Sequence, residues 1–392
     1  MNKNYQIILY GATGFTGKLC AEYFRENYPD LNWAIAGRNK NKLEALKSEL
    51  NLDCDIFVAD SDDYEAIKNF VKQTKVVLSA AGPFARYSTK VVEACVECKT
   101  HYTDITGENH WVKGLIDRFH EKAALDGTRI VPSCGYDSIP SDLGVYFSVT
   151  RSNQPVNHVT VYHSAKGGAS GGTTETMFTM GPLPKEMRDP FLLNPKDSVS
   201  ETQKSKSLDN FSVKPIPGTD AFSGMGLMAF ANTRVVRRSS ALFDLNQKSY
   251  GPDFTFKELG SYPSKAAARI TSFVLMSAFL VIATPLRYLV RPLLPKPGDG
   301  PDKEARDNGW FRGLFIAELE DGSEKRFEIY GSGDPGYKST SKMVCEAALT
   351  LAFSDDLPFG NEFGGVLTSA VGLGDPLISR LMKAGITFEA LS

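Results

Sequence analysis

Short apolar runs alternate with helical patterns over the first third of the chain. Residues 6–10 (QIILY) form one such run. It lacks the polar alternation of a half-exposed strand, so it predicts a parallel strand buried on both faces. Residues 33–36, 55–59 and 76–80 repeat the pattern, and 101–104 and 129–133 read as strands five and six. Helical stretches fall between the runs, at about 18–27, 40–50, 88–98 and 110–125. Asp62 and Glu65 have capping-box spacing ahead of a further helix. Six strands joined by helices predict an α/β fold that starts with a doubly wound Rossmann sheet. Ligands of such sheets bind outside the carboxyl ends of the strands. Arg38, Asp60, Ala81, Gly82, Asp104 and Cys134 all fall on that edge.

The first strand runs into Gly11-Ala12-Thr13-Gly14-Phe15-Thr16-Gly17, and a helix follows. Glycines at this spacing allow a sharp turn, close backbone approach to a pyrophosphate, and tight helix–strand packing. The helix N-terminus adds unpaired N–H groups and a favourable dipole. The second strand ends in Gly37-Arg38-Asn39-Lys40, about 20 residues after the loop. An NAD site would place an acid there for the ribose hydroxyls. Arg38 instead suits a 2′-phosphate, so the expected cofactor is NADP(H). The plainer alternative is a surface arginine that only opens the next helix. Asp60, past strand three, lies where an adenine would be held. Ala80, Ala81, Gly82 and Pro83 are small residues that let a cofactor pass close to backbone.

Composition narrows the function classes. Lys plus Arg is 44 and Asp plus Glu is 46, so the chain lacks the basic footprint of a nucleic-acid binder. No long apolar segment opens the chain, and the six cysteines are scattered. Reduced thiols in a cytoplasmic setting are the expectation. Cys95 and Cys98 form a C-x-x-C on a helical stretch, where packing accounts for both. The five histidines show neither triad nor metal spacing, so no metal is expected.

A resemblance becomes specific at Cys134-Gly135-Tyr136-Asp137-Ser138-Ile139-Pro140-Ser141-Asp142-Leu143-Gly144. With YGATGFTGKL, AGRNKNKLE, AAGPF, HYTDITGE, SGGT, GDPGY, GVLTSA and AGITFE, the chain resembles the saccharopine dehydrogenase-like oxidoreductases. It is most similar to their trans-acting enoyl reductase branch. The resemblance implies NADP(H) use and a second α/β domain with a mixed sheet. It also implies final helices that return to the Rossmann part. The expected division is 1–135, 136–338 and 339–392. The implied activity is reduction of an enoyl chain on an acyl or lipid substrate, carried by a synthase in some members.

Reducing an enoyl thioester leaves an enolate that needs hydrogen-bond donors and a proton. Tyr136 and Asp137 follow strand six and open the second domain, so they are the expected catalytic pair. Asp104 and Glu108 are the runners-up, and a capped turn is the plainer reading of 137–142. In the second domain, Ser170, Gly171, Gly172 and Thr173 precede a helical stretch. They fit either an N-cap or a substrate-holding helix start. Residues 194–220 read as a long loop. Residues 270–286 are strongly apolar, too short to span a bilayer comfortably, and flanked by Arg269, Arg287 and Arg291. The stretch 270–294 is therefore expected to lie on a membrane surface. Its alternatives are a buried core helix or a homodimer contact. Two other functions stay open. A saccharopine-type amino-acid dehydrogenase would want convergent arginines such as Arg234, Arg237 and Arg238. A lipid-associated NADP(H)-binding protein would show no turnover.

Overall fold

The computed structural model describes residues 3–167, 185–207, 211–282, 284, 286–290 and 302–391. Ser170, Gly171, Gly172 and Thr173 lie outside the described residues, as do 291–294 of the apolar stretch.

The first sheet holds seven parallel strands: β1 (Tyr5–Tyr10), β2 (Trp33–Gly37), β3 (Asp55–Val58), β4 (Thr74–Ser79), β5 (His101–Asp104), β6 (Arg129–Val131) and β12 (Gly365–Val366). Their order is β12-β6-β5-β4-β1-β2-β3, so the order reverses between β1 and β4. That reversal is the usual ligand crevice of an open α/β sheet. Alternate residues of β1 serve opposite faces. Ile7 and Leu9 share a core with Cys20 and Phe24 of α1 (Phe15–Asn27) and with Leu43 of α2 (Lys40–Glu49). Ile8 and Tyr10 join Phe70 of α3 (Tyr64–Val71), beyond which come the short α4 (Phe84–Tyr87) and α5 (Thr89–Glu97). Val92 of α5 and Trp111 of α6 (Asn109–Leu125) complete that second core. The N-cap of α3 is Asp63, which accepts from Ala66 N, rather than Asp62. A one-residue shift costs a sequence reading little here, because 60–63 offers three acids around one serine.

Helix α7 (Ile139–Thr150) leads out of the first sheet and is buried along most of its length. Gly144 permits this: a Cβ there would sit 2.1 Å from Phe315 Cζ. The second sheet comprises β7 (Val156–Lys166), β8 (Phe222–Gly224), β9 (Thr255–Tyr262), β10 (Trp310–Leu319), β11 (Glu324–Ser332) and β13 (Ile386–Leu391). Its order is β13-β11-β10-β7-β9-β8, with β7 and β9 parallel and the other pairs antiparallel. The chain therefore has a Rossmann sheet and a second, mixed sheet.

Helix α8 (Ala229–Leu245) covers β9, and α9 (Lys265–Ile282) follows that strand. Only Ala268 of α9 is buried, while Ile270 is 65% and Phe273 74% exposed. The buried-core alternative for the apolar stretch therefore does not hold. The expected loop at 194–220 contains a short helix, Glu201–Lys206, opened by a complete Ser200/Gln203 capping box. Helix α10 (Thr340–Phe353) packs on α1 and β4.

Candidate active site

The glycine loop is built as its spacing requires. Gly11 has φ +81, and a Cβ there would sit 2.7 Å from Ala81 N, so the loop lies against the end of β4. A Cβ on Gly17 would sit 2.3 Å from Gly11 O, which only close backbone packing explains. Gly14 differs. Its φ is ordinary at −76, and a Cβ there would meet nothing nearer than Gly11 O at 3.4 Å. The chain itself leaves that position open, as a ligand approaching the backbone needs. Helix α1 has no side-chain cap and no acid in its first turn, so its leading N–H groups favour an anion. Thr13 is exposed, Phe15 and Thr16 are half-buried, and Ala12 is buried under the loop.

Arg38 is exposed at the carboxyl end of β2 and makes no hydrogen bond or ion pair among the described residues. Asn39 caps α2, its Oδ1 accepting from Lys42 N at 3.0 Å. The Asp60 carboxylate accepts from Asp62 N and the Ser61 hydroxyl, so its local job is to shape the turn before α3. Ala80 N donates to Tyr10 O at 2.8 Å, tying β4 to β1 at the crevice. Ala81, Gly82 and Pro83 continue along its rim, with Gly82 exposed. These features fit an NADP(H) with its pyrophosphate on α1 and its 2′-phosphate by Arg38.

Asp104 is fully buried. Its Oδ1 accepts from Thr106 N and Ser133 N, both at 2.9 Å, which pins the ends of β5 and β6 together. Burial pushes its carboxyl up to about 7. A contact with substrate needs exposed atoms, and Asp104 has none. Glu108 accepts from Phe84 N and Ala85 N and so caps α4.

Tyr136 and Asp137 lie where the first sheet hands over to the second. Tyr136 N donates to Thr340 Oγ1 at 3.0 Å. Its ring packs edge-on against Phe311, with centroids 5.0 Å apart, and beside His163. Burial pushes its phenol up, so the hydroxyl keeps its proton at neutral pH. Burial also raises Asp137, to about 6. Both residues keep some exposed surface, and no side-chain hydrogen bond is made by either among the described residues.

A buried polar network holds this segment. The Ser138 hydroxyl donates to Asn232 Oδ1 at 3.1 Å, and Asn232 Nδ2 donates to Glu258 Oε1 at 3.0 Å. The Ser141 hydroxyl donates to Glu258 Oε2 at 2.7 Å and pairs with His163 Nε2 at 2.9 Å. Burial lifts Glu258 to about 7 and holds His163 down at about 4. Asn232, Glu258 and His163 escape a sequence reading because they come from α8, β9 and β7.

The three arginines that a multiply charged substrate would want are already engaged. Arg234 donates to Arg188 O, Arg237 to Pro190 O and Ser207 O, and Arg238 to Leu193 O and Val366 O. They brace α8 against neighbouring backbone.

Residues 7–131 match the family described as the saccharopine dehydrogenase NADP binding domain. A putative trans-acting enoyl reductase of Mycobacterium tuberculosis is 34% identical, over 99% of this chain and 97% of its own. A trans-acting enoyl reductase of Mycobacterium ulcerans is 32% identical, over 99% of this chain and 98% of its own. Among solved structures, the apo saccharopine dehydrogenase (L-Glu forming) of Saccharomyces cerevisiae covers 99% of this chain and 100% of its own. Its TM-score is 0.55 at 14% identity, a likeness of fold.

Proposed function

Since the chain belongs to the family of the trans-acting enoyl reductases, within the saccharopine dehydrogenase-like oxidoreductases, we propose that it reduces the C=C bond of an enoyl thioester or lipid chain. It is an NADP(H)-dependent oxidoreductase of that family. The observation that carries the reading is the placing of Tyr136 and Asp137 just past the carboxyl end of β6, on the strand-end edge of the sheet that the glycine loop also occupies. There, a phenol and a carboxyl keep some exposed surface and make no side-chain hydrogen bond among the described residues. Bound NADPH supplies the hydride. Gly14 and the start of α1 would hold its pyrophosphate, and Arg38 its 2′-phosphate. The Tyr136 hydroxyl donates a hydrogen bond to the substrate's carbonyl oxygen, which becomes negative as the enolate forms. Asp137, whose carboxyl burial raises to about 6, carries a proton for Cα below that pH.

Tyr136→Phe should lower kcat about a hundredfold and shift KM little, since an oxyanion donor acts mainly in the transition state. Activity of wild type should fall as pH rises through about 6, where Asp137 loses its proton, and Asp137→Asn should abolish that limb. The measurement is NADPH oxidation driven by trans-2-dodecenoyl thioester across pH. Unchanged kcat in Tyr136→Phe and an unchanged pH profile in Asp137→Asn would remove both from the mechanism. The saccharopine-type reading loses its basis with the engaged arginines.

The same reading places α9 on a membrane or lipid surface. It is the one helix among the described residues that is long and apolar enough to cross a bilayer. Yet one side of it is already docked, through Phe279 on Phe230 and Ser272 on Met225 N. A helix packed along one side lies flat more readily than it spans. Wild type should co-sediment with vesicles that contain anionic lipid, and Phe273→Asp should shift to the supernatant. Wild type that stays in the supernatant would leave the apolar face to another partner, with a second copy of the chain first among them.

A further inference from the structure

The apolar surface helix and the proposed site are joined by one uncharged stretch of chain. Residues 221–233, which run from β8 into α8, contain no Asp, Glu, Lys or Arg. Near the surface end, Met225 N donates to Ser272 Oγ of α9 at 2.9 Å, and Met225 O accepts from the Tyr262 hydroxyl at 2.6 Å. Phe230 sits between Phe211 and Phe279, with centroid distances of 5.3 and 5.8 Å. At the inner end, Met228 borders the proposed reacting groups. A Cβ placed on Gly107 would lie 3.7 Å from Met228 Cε and 3.9 Å from Asp137 Oδ2. Asn109 Nδ2 donates to Ala231 O at 3.1 Å, which fastens the start of α8 to the Rossmann part. Between these ends Leu227 is 48% exposed, and Met228 and Phe230 are half-buried.

Phe230 touches Phe279 of α9, and Met228, two residues before it, borders the same glycine as the Asp137 carboxyl, so an apolar line leads from α9 toward Asp137 with no charged residue in it. Methionine suits such a path, because its flexible thioether adapts to chains of differing shape.

We propose that the substrate's acyl chain lies along Leu227, Met228 and Phe230, with its reacting end at Asp137 and its tail toward the apolar face of α9. This rests on the enoyl reductase reading and adds which residues select the chain. Each methylene that reaches the path adds about 0.8 kcal/mol of burial, so long chains gain where short ones do not. Met228 stands nearest the reacting end and governs whether a long chain can continue past it.

The test compares kcat/KM for crotonyl and trans-2-dodecenoyl thioesters in wild type, Met228→Trp and Leu227→Arg. The second variant changes a side chain that is already half exposed, so it keeps the comparison interpretable if Met228→Trp fails to fold. Wild type should prefer the dodecenoyl substrate. Each variant should lower the dodecenoyl-to-crotonyl ratio about tenfold or more, chiefly through a higher KM for the long chain. Binding of a fluorescent dodecanoyl probe should weaken in parallel in Leu227→Arg. A ratio and a probe affinity unchanged from wild type would overturn the path. Failure of wild type to oxidise NADPH with either thioester would instead overturn the reductase reading, and the probe would then show whether the path still holds a chain.

Discussion

Arg38→Ala is expected to weaken NADPH binding about tenfold to a hundredfold and to leave NADH binding nearly unchanged. The guanidinium is exposed at the end of β2, with no ion pair or hydrogen bond among the described residues to divert it. The neighbouring Asn39 is already used as the cap of α2. No acid occupies the strand end, where NAD-type sites hold a ribose. A hydrogen bond to a charged group is worth about 1.5–3 kcal/mol, and 1.4 kcal/mol is a factor of ten. Only NADPH carries the 2′-phosphate, so the loss should be selective. Fluorescence titration of both nucleotides reads it directly. An equal loss for both would make Arg38 a structural residue, and no loss would end its assignment to the phosphate.

The glycine loop yields the second large effect as a contrast between two alanine substitutions. Gly17→Ala should lower the melting temperature by several degrees. Its Cβ would stand 2.3 Å from Gly11 O and 2.8 Å from Ala12 Cα, both backbone atoms held by the loop. Overpacking of this kind costs about 1–3 kcal/mol or more, against about 1 kcal/mol of helix propensity gained. Gly14→Ala meets no such obstacle and has an ordinary φ, so its melting temperature should stay close to that of wild type. It should nonetheless lose NADPH affinity about tenfold or more, because the added methyl displaces a pyrophosphate from the N–H groups of α1. If Gly14→Ala bound NADPH as well as wild type, the pyrophosphate would not lie on that loop.

β1, β2 and β4 were legible because they are buried almost throughout and appear as apolar runs, whereas β3, β5 and β6 were placed by their turn in the alternation of strands and helices. β1, β2, β4 and β5 fall within two residues of the runs that signal them. The seventh strand, Gly365–Val366, was not legible: two residues carry no period, and only pairing with β6 makes them a strand. Helix α8 hides for a different reason. Asn232, Thr233, Arg234, Arg237, Arg238, Ser239 and Ser240 read as a polar surface, yet all are buried. Asn232, Arg237, Arg238 and Ser239 find partners in distant carbonyls and in Glu258 and Asp142, which no local pattern reveals. The same limit applies to the site. Gly11, Gly14, Gly17 and Arg38 announce themselves through spacing after a strand. Tyr136 and Asp137 stand out only as part of a longer motif. His163, Asn232 and Glu258, which hold that motif in place, are brought together only when α8 packs on the second sheet. The short helix Glu201–Lys206 is the opposite case, since its Ser200/Gln203 box was plain in the sequence and lay within a segment read as loop.

The central claim is that NADPH bound to the first sheet reduces an enoyl chain at Tyr136–Asp137. It is tested most directly by titrating the full chain with NADPH and then adding trans-2-dodecenoyl thioester while following the loss of reduced nicotinamide. Saturable NADPH binding followed by thioester-dependent oxidation is the expected result. Binding with no oxidation by the free or carrier-linked thioester would contradict the reductase claim, and no binding at all would contradict the cofactor site on which it stands.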